Sequence, residues 1–237
     1  MVMAILMMVS FTGCKLLEFL ELPEPPKPEK VSEETELDSL ELMKGTTLTQ
    51  ELEVPGEEFK LVIDYDTGRY DFSNWRITSN KHINMSAYVK NLPEGTTVMI
   101  DHMHVDISLQ STLAQVDGML QDSMDNSYNG TSQDGYYIDE NYRYRNNFII
   151  EGYSQTLING WGFVCGNYGN INLSENRLTE KSLVQKGEVY ANKVQVEYKL
   201  LVKNAGEQYF HNTAVVSEFS IPVRYVEPEP ETSESKN

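Results

Sequence analysis

Apolar and polar residues alternate with a period of two through most of the body of this chain, and that pattern constrains its fold more than any other feature. Leu48, Leu52 and Val54 alternate with Thr49, Glu51 and Glu53, and Phe59, Leu61, Ile63 and Tyr65 alternate with Lys60, Val62 and Asp64 before a turn at Asp66-Thr67-Gly68. Ile83, Met85, Ala87 and Val89 form another face, closed by Leu92-Pro-Glu-Gly95, and Met99, Met103, Val105, Ile107 and Leu109 form the next, interrupted by Asp101. Val194, Val196, Tyr198, Leu200 and Val202 pair naturally with Val215, Phe219, Ile221 and Val223 across a hairpin at Asn204-Ala-Gly206. Side chains two apart share a face of a strand, so each run reads as a strand with one buried side. Leu113, Val116, Leu120 and Met124 recur at helical spacing, and Thr179 to Lys186, closed by Gly187, predicts a second short helix. There is no strand-helix alternation of the doubly wound kind and no internal repeat. The expected fold is all-β, an antiparallel β-sandwich over residues 46–226, immunoglobulin-like in general architecture, with one or two short helical inserts.

The chain is 237 residues long, enough for one domain with a substantial core. Residues 1–13 carry no charge and are rich in Met, Val, Ile and Leu. The run is shorter than the roughly 20 residues a membrane span needs, and extending it would bring in Lys15 and Glu18. It reads as the apolar core of a signal peptide. Phe11-Thr12-Gly13-Cys14 resembles the lipobox of bacterial lipoproteins cleaved by signal peptidase II, with Phe11 where leucine is usual. The resemblance implies that Cys14 is lipidated (palmitate among its acyl chains) and that the chain is held at the extracytoplasmic face of a bacterial cell membrane.

Residues 14–45 then form an acidic, proline-containing tether, with a short helix predicted from Ser32 to Met43. Acidity is concentrated at the ends. Of a formal charge of −17, residues 14–58 hold −9 and residues 225–237 hold −3, which leaves −5 for the body. The last residues, 227–237, read as a disordered acidic tail. Nucleic acid is not expected as a partner, because phosphate contacts need a basic face. Cys165, in the apolar stretch Trp161-Gly-Phe-Val-Cys165, is expected to be a buried, inert thiol.

Three segments carry candidate chemistry. In Asp101-His102-Met103-His104-Val105-Asp106, a strand would project His102, His104 and Asp106 to one side, either as zinc-type metal ligands or as a plain solvent-facing row. His82 or His211, the other two histidines, could supply a third or fourth ligand. Asp125, Ser127 and Asn129, followed by Gly130, match the first half of a calcium loop, although Tyr136 occupies the position where a bidentate Glu is wanted. Asn129-Gly130 is equally a turn signal.

The third segment is aromatic. Residues 128–168 hold 10 of the chain's 24 aromatic side chains, interleaved with Asn and Gly. Phe148, Trp161 and Phe163 read as packing between sheets. Tyr136, Tyr137, Tyr142, Arg143, Tyr144 and Arg145 read as a ligand-binding surface, since flat amphipathic rings with amides and guanidinium groups suit adaptable recognition. No nucleophile elbow, zincin helix or phosphate loop is present, so an enzyme is the less expected class. The expected function is a lipid-anchored interaction protein recognising an envelope protein or glycan. The alternatives are a metal-binding lipoprotein using the His-x-His strand, with calcium or zinc as cofactor, and an envelope hydrolase.

Overall fold

The computed structural model describes residues 45–127, 135–167, 177–223 and 225. Cys14, the tether and its predicted helix, Asn129 and the acidic tail lie outside the described residues. The strands are β1 (Thr47–Glu53), β2 (Lys60–Asp66), β3 (Lys81–Lys90), β4 (Thr97–Ser111), β5 (Leu120–Ser127), β6 (Tyr136–Ile138), β7 (Tyr144–Ile150), β8 (Val189–Lys203) and β9 (His211–Pro222). Helices α1 (Gln155–Asn167) and α2 (Glu180–Gln185) lie between β7 and β8. One sheet has the order β1-β2-β3-β7, and the other has β5-β4-β8-β9 with β6 also on β4; every pairing is antiparallel. The chain is an all-β sandwich with short helical inserts.

The inward faces follow the alternation. Leu61, Ile63 and Tyr65 of β2 and Ile83, Met85, Ala87 and Val89 of β3 meet Val194, Val196, Tyr198, Leu200 and Val202 of β8 in one core. Each large apolar side chain taken from water contributes about 1.5–3 kcal/mol. The core also holds two polar chains. Tyr65 OH lies 2.7 Å from Ser217 Oγ and 3.1 Å from Tyr198 OH, Ser217 Oγ donates to Gln50 Oε1, and Gln50 Nε2 donates to the Glu218 carbonyl at 2.9 Å. These residues come from β1 and β2 of one sheet and β8 and β9 of the other, so the hydroxyls tie sheet to sheet. In the second chain, Trp75 Nε1 donates to Asn192 Oδ1 at 2.9 Å, Asn192 Nδ2 donates to Gln121 Oε1 at 2.9 Å, and Gln121 Nε2 donates to the Ile77 carbonyl at 3.0 Å.

Strand β4 departs from the expected face. Val98 and Ile100 point inward, and so do Met103, Val105, Ile107 and Leu109. The inward set changes parity because β4 carries a bulge against β8 between Ile100 and His102. One extra residue, Asp101, shifts every later side chain to the opposite face. Met99 is therefore not part of the inward row. On its other flank, β4 meets Ser127 of β5 at His102 and Tyr136 of β6 at Ile100, so the chain leaves and rejoins β4 on either side of the bulge.

The helical spacing at Leu113–Met124 produces no helix. It marks a single turn, with Asp117 N–H donating to the Leu113 carbonyl at 2.8 Å, which Gly118 ends at φ +73°. Leu120 to Ser127 then pair with β4. The predicted helix at 179–186 is α2, capped by a reciprocal box between Thr179 and Ser182. Gly187 follows it for a packing reason: a Cβ there would stand 2.6 Å from the Leu183 carbonyl and 3.1 Å from the Trp161 ring. Helix α1 was not foreseen. Its buried Leu157, Trp161, Val164 and Cys165 have regular i, i+4, i+7, i+8 spacing, but Gly160, Gly162 and Gly166 weaken the local preference. Phe163, expected to pack, is 54% exposed on this helix.

The Tyr65 hydroxyl has two buried partners, and among the described residues the Tyr198 hydroxyl bonds to Tyr65 and to the Met85 sulfur, 4.0 Å away. Tyr65→Phe strands the Tyr198 hydroxyl and removes a partner of Ser217, so it should cost about 1–3 kcal/mol in urea unfolding. Tyr198→Phe should cost less, and the reverse order would mean that Tyr65 is not the hub.

Candidate functional site

Beyond the bulge, His102, His104 and Asp106 face outward from β4. Asp125 of β5 stands directly across from His104 in the register. Both histidines donate to one oxygen of that carboxylate: His102 Nε2 to Asp125 Oδ1 at 3.1 Å and His104 Nδ1 to Asp125 Oδ1 at 2.8 Å. His104 Nε2 lies 3.1 Å from Asp106 Oδ2. The hydrogen bond to Asp125 raises the pKa of His104 above its ordinary value, and the same bond holds Asp125 below the usual carboxylate value. The sequence placed Asp106 with the two histidines; the structure adds Asp125 at the centre and puts Asp106 on the far nitrogen of His104. No spacing rule links 125 to 104, because the pairing of β4 with β5 makes the contact.

The same arrangement bears on the calcium-type loop. Its first residue, Asp125, lies within strand β5 and is engaged by two imidazoles. A calcium loop would need that carboxylate in the loop itself, among oxygen ligands. Neither remaining histidine joins the cluster. His82 is exposed on β3 in the other sheet, and His211 on β9 donates to Glu57 Oε1 at 2.7 Å and lies 3.4 Å from Glu207.

The aromatic segment divides. Tyr136, Tyr137 and Tyr142 are 40%, 42% and 65% exposed, and Arg145 is exposed on β7. Tyr144 is instead fully buried in the core, its hydroxyl accepting from Asn146 Nδ2 at 2.7 Å. Strand alternation sends 144 and 145 to opposite faces, so the two could not share one surface. Arg143 is half-buried and anchored, with its guanidinium 3.9 Å over the Tyr88 ring and Nη1 donating to Asp64 Oδ2 at 2.7 Å.

Beside this anchor lies an open groove of about 720 Å³ on the outer face of the four-stranded sheet. Its polar lining follows from the register. Thr47, Asp66, Asn84 and Asn147 form one row across the strands, and Thr49, Asp64, Ser86 and Arg145 form the next. Sequence reasoning found Arg145 but missed the other members of both rows, although each lies at a polar position of an alternating strand. Cys165 is buried, and burial raises its thiol pKa, as suits an inert position. No helix of the described residues is long and apolar enough to cross a membrane.

No protein-family model matches the chain, and no curated protein matches its sequence. A crystal structure of a protein from Archaeoglobus fulgidus aligns over 77% of this chain and 99% of its own, at 10% identity and a TM-score of 0.33. So distant a likeness carries no argument about function.

His211 supplies a pH test. Its pKa is raised above the ordinary 6.5, chiefly by the hydrogen bond to Glu57, so the pair contributes fully below 6.5 and is lost as pH rises through the folded value. The wild type should therefore lose its melting-temperature advantage over His211→Gln over the pH range above about 6.5. A difference that stays constant across that range would mean the pair does not titrate.

Proposed function

We propose that this chain is a lipid-anchored protein of a bacterial cell surface whose β-sandwich binds a neutral glycan of the envelope. The observation that supports this reading is the groove between the two polar rows, which no other described element covers. Its walls alternate hydroxyl, amide, carboxylate and guanidinium groups: Thr49, Ser86, Asn84, Asn147, Asp66 and Arg145. Sugar hydroxyls both donate and accept, and such a mixed lining can satisfy both capacities. Asp64 is already paired with Arg143, which leaves Asp66 and Arg145 as opposite charges in the groove and favours an uncharged ligand. Exposed Tyr142 directly precedes Arg143, which is fastened to Asp64 of the groove, whereas Tyr136 and Tyr137 lie on β6, paired with β4 of the other sheet, and none of the three rings lines the groove. An acylated Cys14 would hold the domain at the membrane, and the charged tether would keep it extended into the envelope.

The binding claim is tested by presenting the full chain to an array of neutral glycans and measuring affinity for those retained. Arg145→Ala and Asn147→Ala change exposed side chains, should leave the melting temperature unchanged, and should weaken retention about tenfold, or about 1.4 kcal/mol. Retention of no glycan by the wild type, or equal retention by both variants, would overturn the assignment.

Anchoring is tested separately. Cys14→Ser should move the chain from the membrane fraction to the soluble fraction of the expressing bacterium. A variant that stayed in the membrane fraction would refute the lipobox reading.

A further inference from the structure

The cluster on the outer face of the second sheet is chemically different from the groove and independent of it. A ring nitrogen of His102, a ring nitrogen of His104 and an oxygen of Asp125 all lie within 4.8 Å of one another, and His102 Nε2 and His104 Nδ1 are the nitrogens that face Asp125 Oδ1. The side chains of His102 and His104 are 20% and 32% exposed and that of Asp125 is 67% exposed, so the imidazoles are partly held by the sheet while the convergence point opens to solvent. We propose that His102 Nε2, His104 Nδ1 and Asp125 Oδ1 form a binding site for a divalent transition cation, Zn(II) or Cu(II), oriented by Asp106.

Distance supports the assignment first. Tetrahedral coordination with bonds of about 2.0–2.1 Å places neighbouring ligand atoms roughly 3.3 Å apart. The two imidazole-to-carboxylate separations are 3.1 and 2.8 Å, so a few tenths of an ångström of opening admits the ion. The cation binds the neutral imidazoles at the nitrogens now turned to Asp125; the proton on each of those nitrogens shifts to the other ring nitrogen, or leaves to solvent where the ring carries two.

The partner of the unused nitrogen supports it next. His104 Nε2 lies 3.1 Å from Asp106 Oδ2. A carboxylate on the far N–H of a ligating imidazole sets its tautomer and ring orientation and raises its basicity. The backbone holds all of this in place, because the residues lie on paired strands with His104 directly opposite Asp125. On the other side His104 faces Glu197 and His102 faces Lys199 of β8, and these two side chains pair at 3.7 Å, so they add no net charge beside the site.

Donor type selects the ion. Two imidazoles and one carboxylate suit zinc and copper, whereas calcium and magnesium need oxygen ligands and find only one here. The open side leaves a coordination position for water.

The test is calorimetric titration of the purified full chain with ZnCl2, and copper electron paramagnetic resonance on the same chain loaded with one equivalent of CuCl2. One equivalent of zinc should bind, and the copper spectrum should carry superhyperfine splitting from two nitrogens. His102→Gln/His104→Gln should abolish binding. Asp106→Asn, which keeps every ligand, should weaken it about 10–100-fold. Asp125→Asn should weaken it as well, and His211→Gln should leave it unchanged. Absence of saturable zinc binding, a copper spectrum without nitrogen splitting, or equal affinity for calcium would overturn the site. Zinc binding that survives the double histidine variant, or that ignores both aspartate variants, would also overturn it. The spectrum is read on the wild type, so the assignment stands or falls even if a variant misfolds.

Discussion

A short run of hydroxyl groups in the middle of the sandwich holds its two halves in one relation. Hydrophobic burial is non-directional and does not by itself select one alignment of sheet on sheet. The Tyr65 hydroxyl is directional. Burial pushes its pKa up to about 12, so it remains a neutral donor and acceptor, and it needs Ser217 and Tyr198 in specific places. Gln50 extends the constraint to the edge strand and to the Glu218 carbonyl. Loss of Tyr65 in particular leaves the buried Tyr198 hydroxyl with only the Met85 sulfur beside it among the described residues, a penalty larger than the bond's own net contribution. The relation of β1 and β2 to β8 and β9, and with it the disposition of both outer faces, rests on that chain.

The second organising feature is one extra residue in β4. Without the bulge at Asp101, the parity of Val98 and Ile100 would carry on to 102 and 104, and both imidazoles would enter the core. With it, Met103 and Val105 enter the core and the histidines meet Asp125 on the outside. The bulge falls where β5 ends and β6 begins on the other flank, so strand pairing is interrupted on both sides of β4 at nearly one level. Bulges commonly re-aim side chains where a sheet does chemistry, and here the re-aimed pair is the one with ligand character. The groove on the opposite sheet owes nothing to this device. It follows from four regularly paired strands whose polar positions line up.

Much of the strand content was legible because a half-buried strand must alternate and turns must accommodate Gly, Asn and Pro. The stretches at Leu61–Tyr65, Ile83–Val89 and Val194–Val202 show this plainly. The errors fall where a local pattern had two meanings. Leu113 and Val116 sit on one helical turn, too short to continue past Gly118, and periodicity alone cannot separate that from a helix. Helix α1 had an apolar face in its spacing, but its glycines argued the other way until Trp161 found its place against Gly187. Tyr144 and Arg145 are neighbours in sequence and opposites in space, so a dense aromatic segment could not be read as one surface.

By itself the sequence determined the fold class, the acidity of the ends, the lipobox resemblance at Cys14, and the outward row of His102, His104 and Asp106. Each depends on residues close together along the chain, where composition and a fixed period are sufficient. Tertiary structure decided which distant residues meet. It brought Asp125 to the histidines, aligned Asp66, Asn84 and Asn147 into one row, buried Tyr144, and joined Tyr65 to Ser217. Those contacts depend on strand order and register, and register is set by the balance of burial over both sheets at once, which no local stretch of sequence contains.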